Sequence, residues 1–379
     1  MPRPRSVARV RACAALPLIS HAPLPRGGSG GVELAGTMRA VVKVRGEAGG
    51  TEIRTVPVPE IREDEVLIRV DKAGICGTDL HIYLWDRWSE SRLHLPLIYG
   101  HEFAGTVEAV GRAVERIEKE DRVSGEGHLA CWRCKPCREG NPHVCRNLKV
   151  LGVDRDGIFA EYVKLPATNV VHNDPKIPLR VAAVQDPLGN AVQTAFSGHP
   201  SGAVVLVLGC GPIGLMSVAV ARAAGAREVI AIEKNEYRLG LARQMGATHT
   251  FEDPAYAERT IQELTDGVGV DDVYEMSGAA KLLNFGLKSV KPAGGVHILA
   301  IYHDVVPIDV TNSVVFKGVH VHGIHGRRMF DTWTRMQGML LSGKLNIDPV
   351  FTHDFAFEQF DEGMAAMKGG NCGKVTLHW

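Results

Sequence analysis

A thiol, a hydroxyl, two imidazoles and two carboxylates lie close together in Gly74-Ile75-Cys76-Gly77-Thr78-Asp79-Leu80-His81 and Gly100-His101-Glu102. Cys76, His101 and Glu102 offer sulfur, nitrogen and oxygen donors suited to a borderline-soft divalent cation. Three protein ligands leave one position open, as a catalytic zinc requires. Such a cation makes an alcohol a far stronger acid. Thr78 and His81 supply the next need, a hydroxyl that hands a proton to an imidazole and so to solvent. Each residue alone has a duller reading: a single Cys behaves as a small buried hydrophobe, and Gly-His-Glu fits an ordinary loop.

A second set is denser. Cys131-x2-Cys134-x2-Cys137-x7-Cys145 places four of the eight cysteines within 15 residues. Four thiolates from one loop close a tetrahedral zinc site and leave no position for chemistry, so this is a fold staple. An iron–sulfur cluster competes, because C-x2-C-x2-C occurs in ferredoxins, but the x3-Cys-Pro continuation is missing. In a chain this long, close spacing favours metal over disulfides and a reducing compartment. Cytoplasmic placement is therefore expected.

A third set is Gly209-Cys210-Gly211-Pro212-Ile213-Gly214. It follows the apolar run Val204 to Leu208 and precedes an Ala-rich helix, Leu215 to Ala224; Glu233 ends the next strand, 19 residues past Gly214. Gly209, Gly211 and Gly214 permit a tight turn, close approach of a pyrophosphate and close helix–strand packing, with the helix N-terminus facing the phosphates. A carboxylate at Glu233 binds ribose hydroxyls and repels a 2′-phosphate, favouring NAD over NADP. Lys234 and Arg238 keep NADP open, and Arg238 could instead stack on adenine.

The elements that must hold these groups change style at Val204. Before it, Arg39 to Val44, Glu65 to Val70, Gly105 to Val110 and Phe159 to Val163 have strand length and pattern, with no long amphipathic helix before about residue 180. After it, strands at Val229 to Glu233, Val270 to Met276, Gly295 to Ile301 and Val319 to Ile324 alternate with helical stretches. That alternation predicts an α/β doubly wound parallel sheet. The pieces after Gly326, ending in the strand Lys374 to His378, are too few for a domain and are expected to return to the first one. Composition is ordinary for a globular protein: 45% hydrophobic, 23% charged, with 43 basic and 43 acidic residues. Neither a nucleic-acid partner nor a membrane is indicated. Residues 1–37 stand apart: Met1 to Val32 holds five arginines and no acid, which reads as a disordered or spurious leader ahead of Met38, with an organellar transit peptide as the alternative.

Cys-Gly-Thr-Asp-x-His, Gly-His-Glu, the four-cysteine lobe and Gly-x-Gly-x-x-Gly, in this order, resemble the zinc-dependent medium-chain dehydrogenase/reductases. Trp85-Asp86-x-Trp88 after His81-Ile82-Tyr83, Gly125-Glu126-Gly127-His128, Asp186-Pro187-x-Gly189-Asn190-Ala191, Glu275-Met276-Ser277-Gly278-Ala279 and Gly326-Arg327-x-Met329-Phe330 are similar to members acting on the 3-hydroxyl of L-threonine. The resemblance runs from about Met38 to the C-terminus. It implies a GroES-like catalytic domain over 38–186, a Rossmann domain over 187–326, a C-terminal return over 327–379, and a homotetramer with NAD and two zinc ions per subunit. Carried over, Cys76, His101 and Glu102 hold the catalytic zinc, Thr78 and His81 form the relay, and Asp79 supports a ligand. Asp186 stands where relatives place an exchangeable fourth carboxylate, commonly Glu. Cofactor contacts are implied at Ile213, Glu233, Arg238, Leu299, Ala300, Ile301, Ile324 and His325, the last where Tyr is common. Trp85, Trp88 and His128 divide between packing and a pocket role. The implied reaction oxidises L-threonine to 2-amino-3-oxobutanoate. A polyol or secondary-alcohol dehydrogenase of the same superfamily is the nearest rival, and a non-catalytic NAD-binding protein a remote one.

Overall fold

A computed structural model describes residues 36–379; the leader reading and Cys13 lie outside the described residues, apart from Gly36 and Thr37. Among these residues no helix is long and apolar enough to cross a membrane.

Val204–Leu208 is buried along its whole length, and buried apolar side chains on both faces are what a central parallel strand requires. The sheet around it runs His249–Phe251, Glu228–Ile232, Val204–Leu208, Val270–Glu275, Val290–Ile298, His320–Gly323, each neighbour parallel. Strand order reverses between Val204–Leu208 and Val270–Glu275, so a crevice opens at their C-terminal ends. The helix there spans Pro212–Ala223, starting three residues before the expected Leu215. Gly211 caps it with extended backbone, and Pro212 loses no helical hydrogen bond in the first turn. The expected strand Gly295 to Ile301 starts earlier and stops at Ile298, leaving Leu299–Ile301 as a loop at the crevice.

A second sheet carries the first set of residues. Its order is Val170–His172, Arg122–Gly125, Glu102–Val110, Glu65–Ile75, Lys374–His378, Phe351–Ala356, with Tyr162–Pro166 also on Glu65–Ile75. Glu65–Ile75 runs five residues past the expected end at Val70, because a register shift between Val70 and Lys72 carries it across the polar Asp71-Lys72 pair. Val375 pairs with Ile75 and Thr376 with Gly74, so the last strand of the chain lies directly beside Cys76. Gly74 is also the register partner of Glu102.

Two short helices, Gly77–Leu84 and Arg87–Arg92, occupy a stretch without any expected helix. Their signals are local. Asp79 Oδ2 accepts the Cys76 amide at 2.8 Å, and Asp86 Oδ1 accepts the Ser89 amide at 3.0 Å, each satisfying a donor that a helix start would otherwise strand. Eight residues are too few for an amphipathic stripe to show in the sequence.

Candidate active site

Cys76 sits where the strand Glu65–Ile75 hands over to the helix Gly77–Leu84, and His101 directly precedes the neighbouring strand, which Glu102 opens. The ligand atoms of Cys76, His101 and Glu102 all lie within 4.8 Å of one another. Glu102 is fully buried and His101 nearly so. Glu102 Oε1 and His101 Nδ1 have no hydrogen-bond partner among the described residues. Leaving such buried groups unsatisfied costs about 1–3 kcal/mol each. A cation placed among a thiol, an imidazole and a carboxylate would answer that deficit, so the donor set fits zinc.

Asp79 is buried behind the cluster, its Oδ1 3.8 Å from His101 Nδ1. Burial pushes the Asp79 carboxyl up to about 6 despite His101. Burial would depress the His101 imidazole, but the charges of Asp79 and Cys76 outweigh it and raise it to about 10. Glu102 also faces the Lys374 ammonium in an ion pair with both side chains excluded from solvent. Lys374 Nζ donates to the Ile75 carbonyl at 2.8 Å, which ties it to the strand that ends at Cys76.

Thr78 Oγ1 is 3.9 Å from Cys76 Sγ, at the mouth of the cluster. His81 follows three residues later on the same helix, with its side chain half exposed. Its Nδ1 bonds Asp86 Oδ2 at 2.6 Å, which leaves Nε2 free to take a proton. Thr78 and His81 share no hydrogen bond. Trp88 stands 6.5 Å from the His81 ring, whereas Trp85 packs over the Lys43 ammonium at 5.6 Å.

Asp186 lies outside the three-ligand cluster but next to it: a methyl group added at Gly127 would be 3.6 Å from both Asp186 Oδ2 and His101 Cβ. Its carboxylate is engaged by Arg327, a fully buried guanidinium that also bonds Glu126 Oε1 at 2.6 Å. Glu126 further accepts Trp333 Nε1–H at 2.9 Å and faces His128 Nδ1 at 3.0 Å. Burial alone would raise the Glu126 carboxyl, but Arg327 and His128 hold it at about 2. Glu126, Arg327 and Asp86 entered the sequence reading only inside motifs of resemblance, without a role, and Lys374 had no signal beyond its place in the last strand.

The four-cysteine lobe brings Cys131, Cys134, Cys137 and Cys145 within 4.8 Å of one another as free thiols. Cys134 Sγ is 3.4 Å from Cys137 Sγ and 3.8 Å from Cys145 Sγ. The Arg133 amide and Asn147 pull the Cys131 thiol down to about 5, while burial pushes Cys137 up to about 12. Four sulfurs crowded without disulfides fit a closed tetrahedral metal site.

At the crevice, Gly209 adopts φ +90° and Gly214 packs so tightly against the Gly209 carbonyl that a Cβ there would collide with it. That approach fits a phosphate cradle. A Cβ on Gly209 would meet Ser277 at 2.9 Å, so the ends of the two central strands adjoin. Glu233 lies at the end of its strand, 7% exposed, accepting the Cys210 and Asn235 amides at 2.9 and 3.1 Å. Arg238 Nε donates to the Cys372 carbonyl at 3.3 Å. Leu299 and Ala300 amides donate to the Glu275 carbonyl, Ile301 is exposed, and the Ile324 amide donates to the Ile298 carbonyl at 2.8 Å. The His325 ring is 5.9 Å from that of His128. Ile213 is the second residue of the helix Pro212–Ala223.

Comparison with known proteins extends this picture. Residues 62–176 match the alcohol dehydrogenase GroES-like domain, and residues 212–342 match the zinc-binding dehydrogenase family. An L-threonine 3-dehydrogenase of Bacillus licheniformis is 49% identical over 346 residues, covering 90% of this chain and 99% of the relative. The crystal structure of 2R,3R-butanediol dehydrogenase from Bacillus subtilis superposes with a TM-score of 0.82 at 27% identity, covering 90% of this chain and 99% of that one. An alcohol dehydrogenase from Escherichia coli CFT073, complexed with NADH, gives 0.83 at 25% identity, covering 93% and 100%.

Proposed function

The chain belongs to the zinc-binding dehydrogenases with a GroES-like alcohol dehydrogenase domain, and from that membership we propose that it oxidises the 3-hydroxyl of L-threonine with NAD, giving 2-amino-3-oxobutanoate and NADH. The observation that carries the substrate is 49% identity along 99% of an L-threonine 3-dehydrogenase, against 27% for the butanediol enzyme.

It is a zinc enzyme that uses NAD. Cys76, His101 and Glu102 would hold one zinc and the four-cysteine lobe the other. When bound, zinc supplies Lewis acidity at the substrate oxygen and NAD supplies the hydride acceptor. The remaining work belongs to the chain. Thr78 Oγ1, beside Cys76, accepts the hydroxyl proton of the substrate as it releases its own. Since Thr78 and His81 share no hydrogen bond, a bridging water carries that proton to Nε2 of the His81 imidazole. Asp86 holds this imidazole through Nδ1, and His81 passes the proton to solvent. The Glu126–Arg327–Asp186 set fixes the carboxylate of Asp186 beside His101, so that it orients substrate instead of swinging freely. Gly209, Gly211 and Gly214 receive the pyrophosphate, Glu233 the adenosine ribose and Arg238 the adenine. Ile213, Leu299 to Ile301, Ile324 and His325 surround the nicotinamide end.

The same reading divides the chain into a catalytic domain over 38–186, a cofactor domain over 187–326 and a return over 327–379. It also makes the protein a cytoplasmic homotetramer. Free clustered thiols support the reducing compartment. Ile301, Val305, Val310, Val315 and Phe316, exposed apolar side chains in one stretch, support association between copies. The test of substrate is the rate of NADH formation with L-threonine, sorbitol and 2,3-butanediol. L-Threonine should give the highest kcat/KM; a higher value for either polyol would reject it as substrate.

A further inference from the structure

Glu275 ends the strand Val270–Glu275 and is fully buried, yet no step of the reaction uses it. Its Oε1 accepts the Ser277 amide at 2.9 Å, the Gly278 amide at 3.2 Å and the Ser277 hydroxyl. Its backbone carbonyl accepts the Leu299 and Ala300 amides at 3.1 and 3.3 Å. One residue therefore pins both the turn after its own strand and the loop after the next strand. The two segments also meet directly. Gly278 has φ +68°, and a Cβ there would sit 2.8 Å from the Ile301 carbonyl oxygen, an approach that glycine allows.

The other carboxylate oxygen is left over. Glu275 Oε2 is shut off from solvent with no hydrogen-bond partner among the described residues, and so is the hydroxyl of Tyr302, the next residue along the loop. Burial, and the Glu275 carboxylate beside it, push the Tyr302 hydroxyl far above its usual value, so it stays a donor at any working pH. A donor and a charged acceptor thus adjoin in a dry site with the bond between them unmade. Folded proteins seldom leave such groups unpaired, and a small movement of the loop would close this pair. One residue further on, the His303 ring lies 6.3 Å from that of His81, so the loop reaches from the cofactor crevice to the proton relay.

We propose that Tyr302 is a positioning residue for the cofactor, its hydroxyl latching onto Glu275 when the nicotinamide end of NAD seats against Leu299 to Ile301. This rests on the placement of NAD given under the proposed function. The free chain carries the unmade bond as a cost, and cofactor binding recovers it. A hydrogen bond to a carboxylate in a site without water is among the stronger ones, so the closed latch fixes the loop against the nicotinamide.

Tyr302→Phe removes the hydroxyl alone. Fluorescence titration of the zinc-loaded full chain with NADH reads the effect, beside isothermal titration with ADP-ribose, which lacks the nicotinamide. The variant should bind NADH about tenfold more weakly, the worth of one hydrogen bond to a charged group, and ADP-ribose within about twofold of the wild type. Without cofactor it should melt no lower than the wild type, because it loses a buried hydroxyl that had no partner. A purely structural hydroxyl would do the reverse, lowering the melting temperature and leaving NADH affinity alone. Unchanged NADH affinity, or equal losses for NADH and ADP-ribose, would overturn the latch and leave the assignment of NAD standing. A wild type that bound no NADH would overturn that assignment, and the latch with it.

Discussion

Lys374→Met probes the charge balance around the three-ligand cluster. Lys374 and Glu102 are 1% and 0% exposed, and the ammonium is the one protein cation in an ion pair with that carboxylate among the described residues. Met preserves most of the aliphatic stem, so the substitution removes charge and not packing. Breaking a buried pair from one side costs about 3–5 kcal/mol, since the remaining charge is left in a low-dielectric site. Loss of the hydrogen bond to the Ile75 carbonyl adds about 1 kcal/mol. At roughly 2–4 °C per kcal/mol, the chelated variant should melt about 10 °C below the chelated wild type. A zinc ion held by Glu102 opposes the same negative charge, so in zinc-loaded protein the difference should shrink to less than half. The assay is a paired thermal melt of both proteins with and without chelator. Equal differences in the two states would refute the reasoning, because Glu102 would then not share its charge with a metal.

Glu233→Gln should raise KM for NAD by about tenfold or more, the worth of one charge-assisted hydrogen bond, and narrow the preference over NADP; steady-state kinetics with both cofactors read this. Cys137→Ser should leave one zinc per chain and lower the melting temperature, as measured by metal analysis and a thermal melt, since three thiolates no longer close the lobe. Trp333→Phe strands Glu126 Oε2 in the interior and should cost about 1–3 kcal/mol, seen as a lower urea midpoint with the slope unchanged.

The parts of this site that are local in the chain were legible beforehand. The cradle at Gly209 to Gly214 combines a buried strand, a glycine turn and a helix start within a few residues, and spacing alone exposes it. The four-cysteine lobe is likewise contiguous. Strand ends and the helix Gly77–Leu84 were harder: Asp71 and Lys72 hide the continuation of one strand, and a helix of only about two turns of mixed residues hides the other element. What spacing cannot reveal is the long-range pairing. Arg327 meets Glu126 from 201 residues away, and Lys374 reaches Glu102 only because the last strand of the chain returns to lie beside Glu65–Ile75. Neither pairing can be read from the chain until the sheet order is known: Lys374 looks like an ordinary surface charge, and Arg327 stands in a motif that does not name its partner.

The claim that Cys76, His101 and Glu102 hold the reactive metal is tested most directly by comparing the zinc content and L-threonine-dependent NADH formation of the wild type with those of Cys76→Ser. The account predicts two zinc ions per chain and turnover in the wild type. In the variant it predicts one zinc, retained by the four-cysteine lobe, and no measurable turnover. Near-normal turnover in a Cys76→Ser preparation with one zinc or none would contradict it.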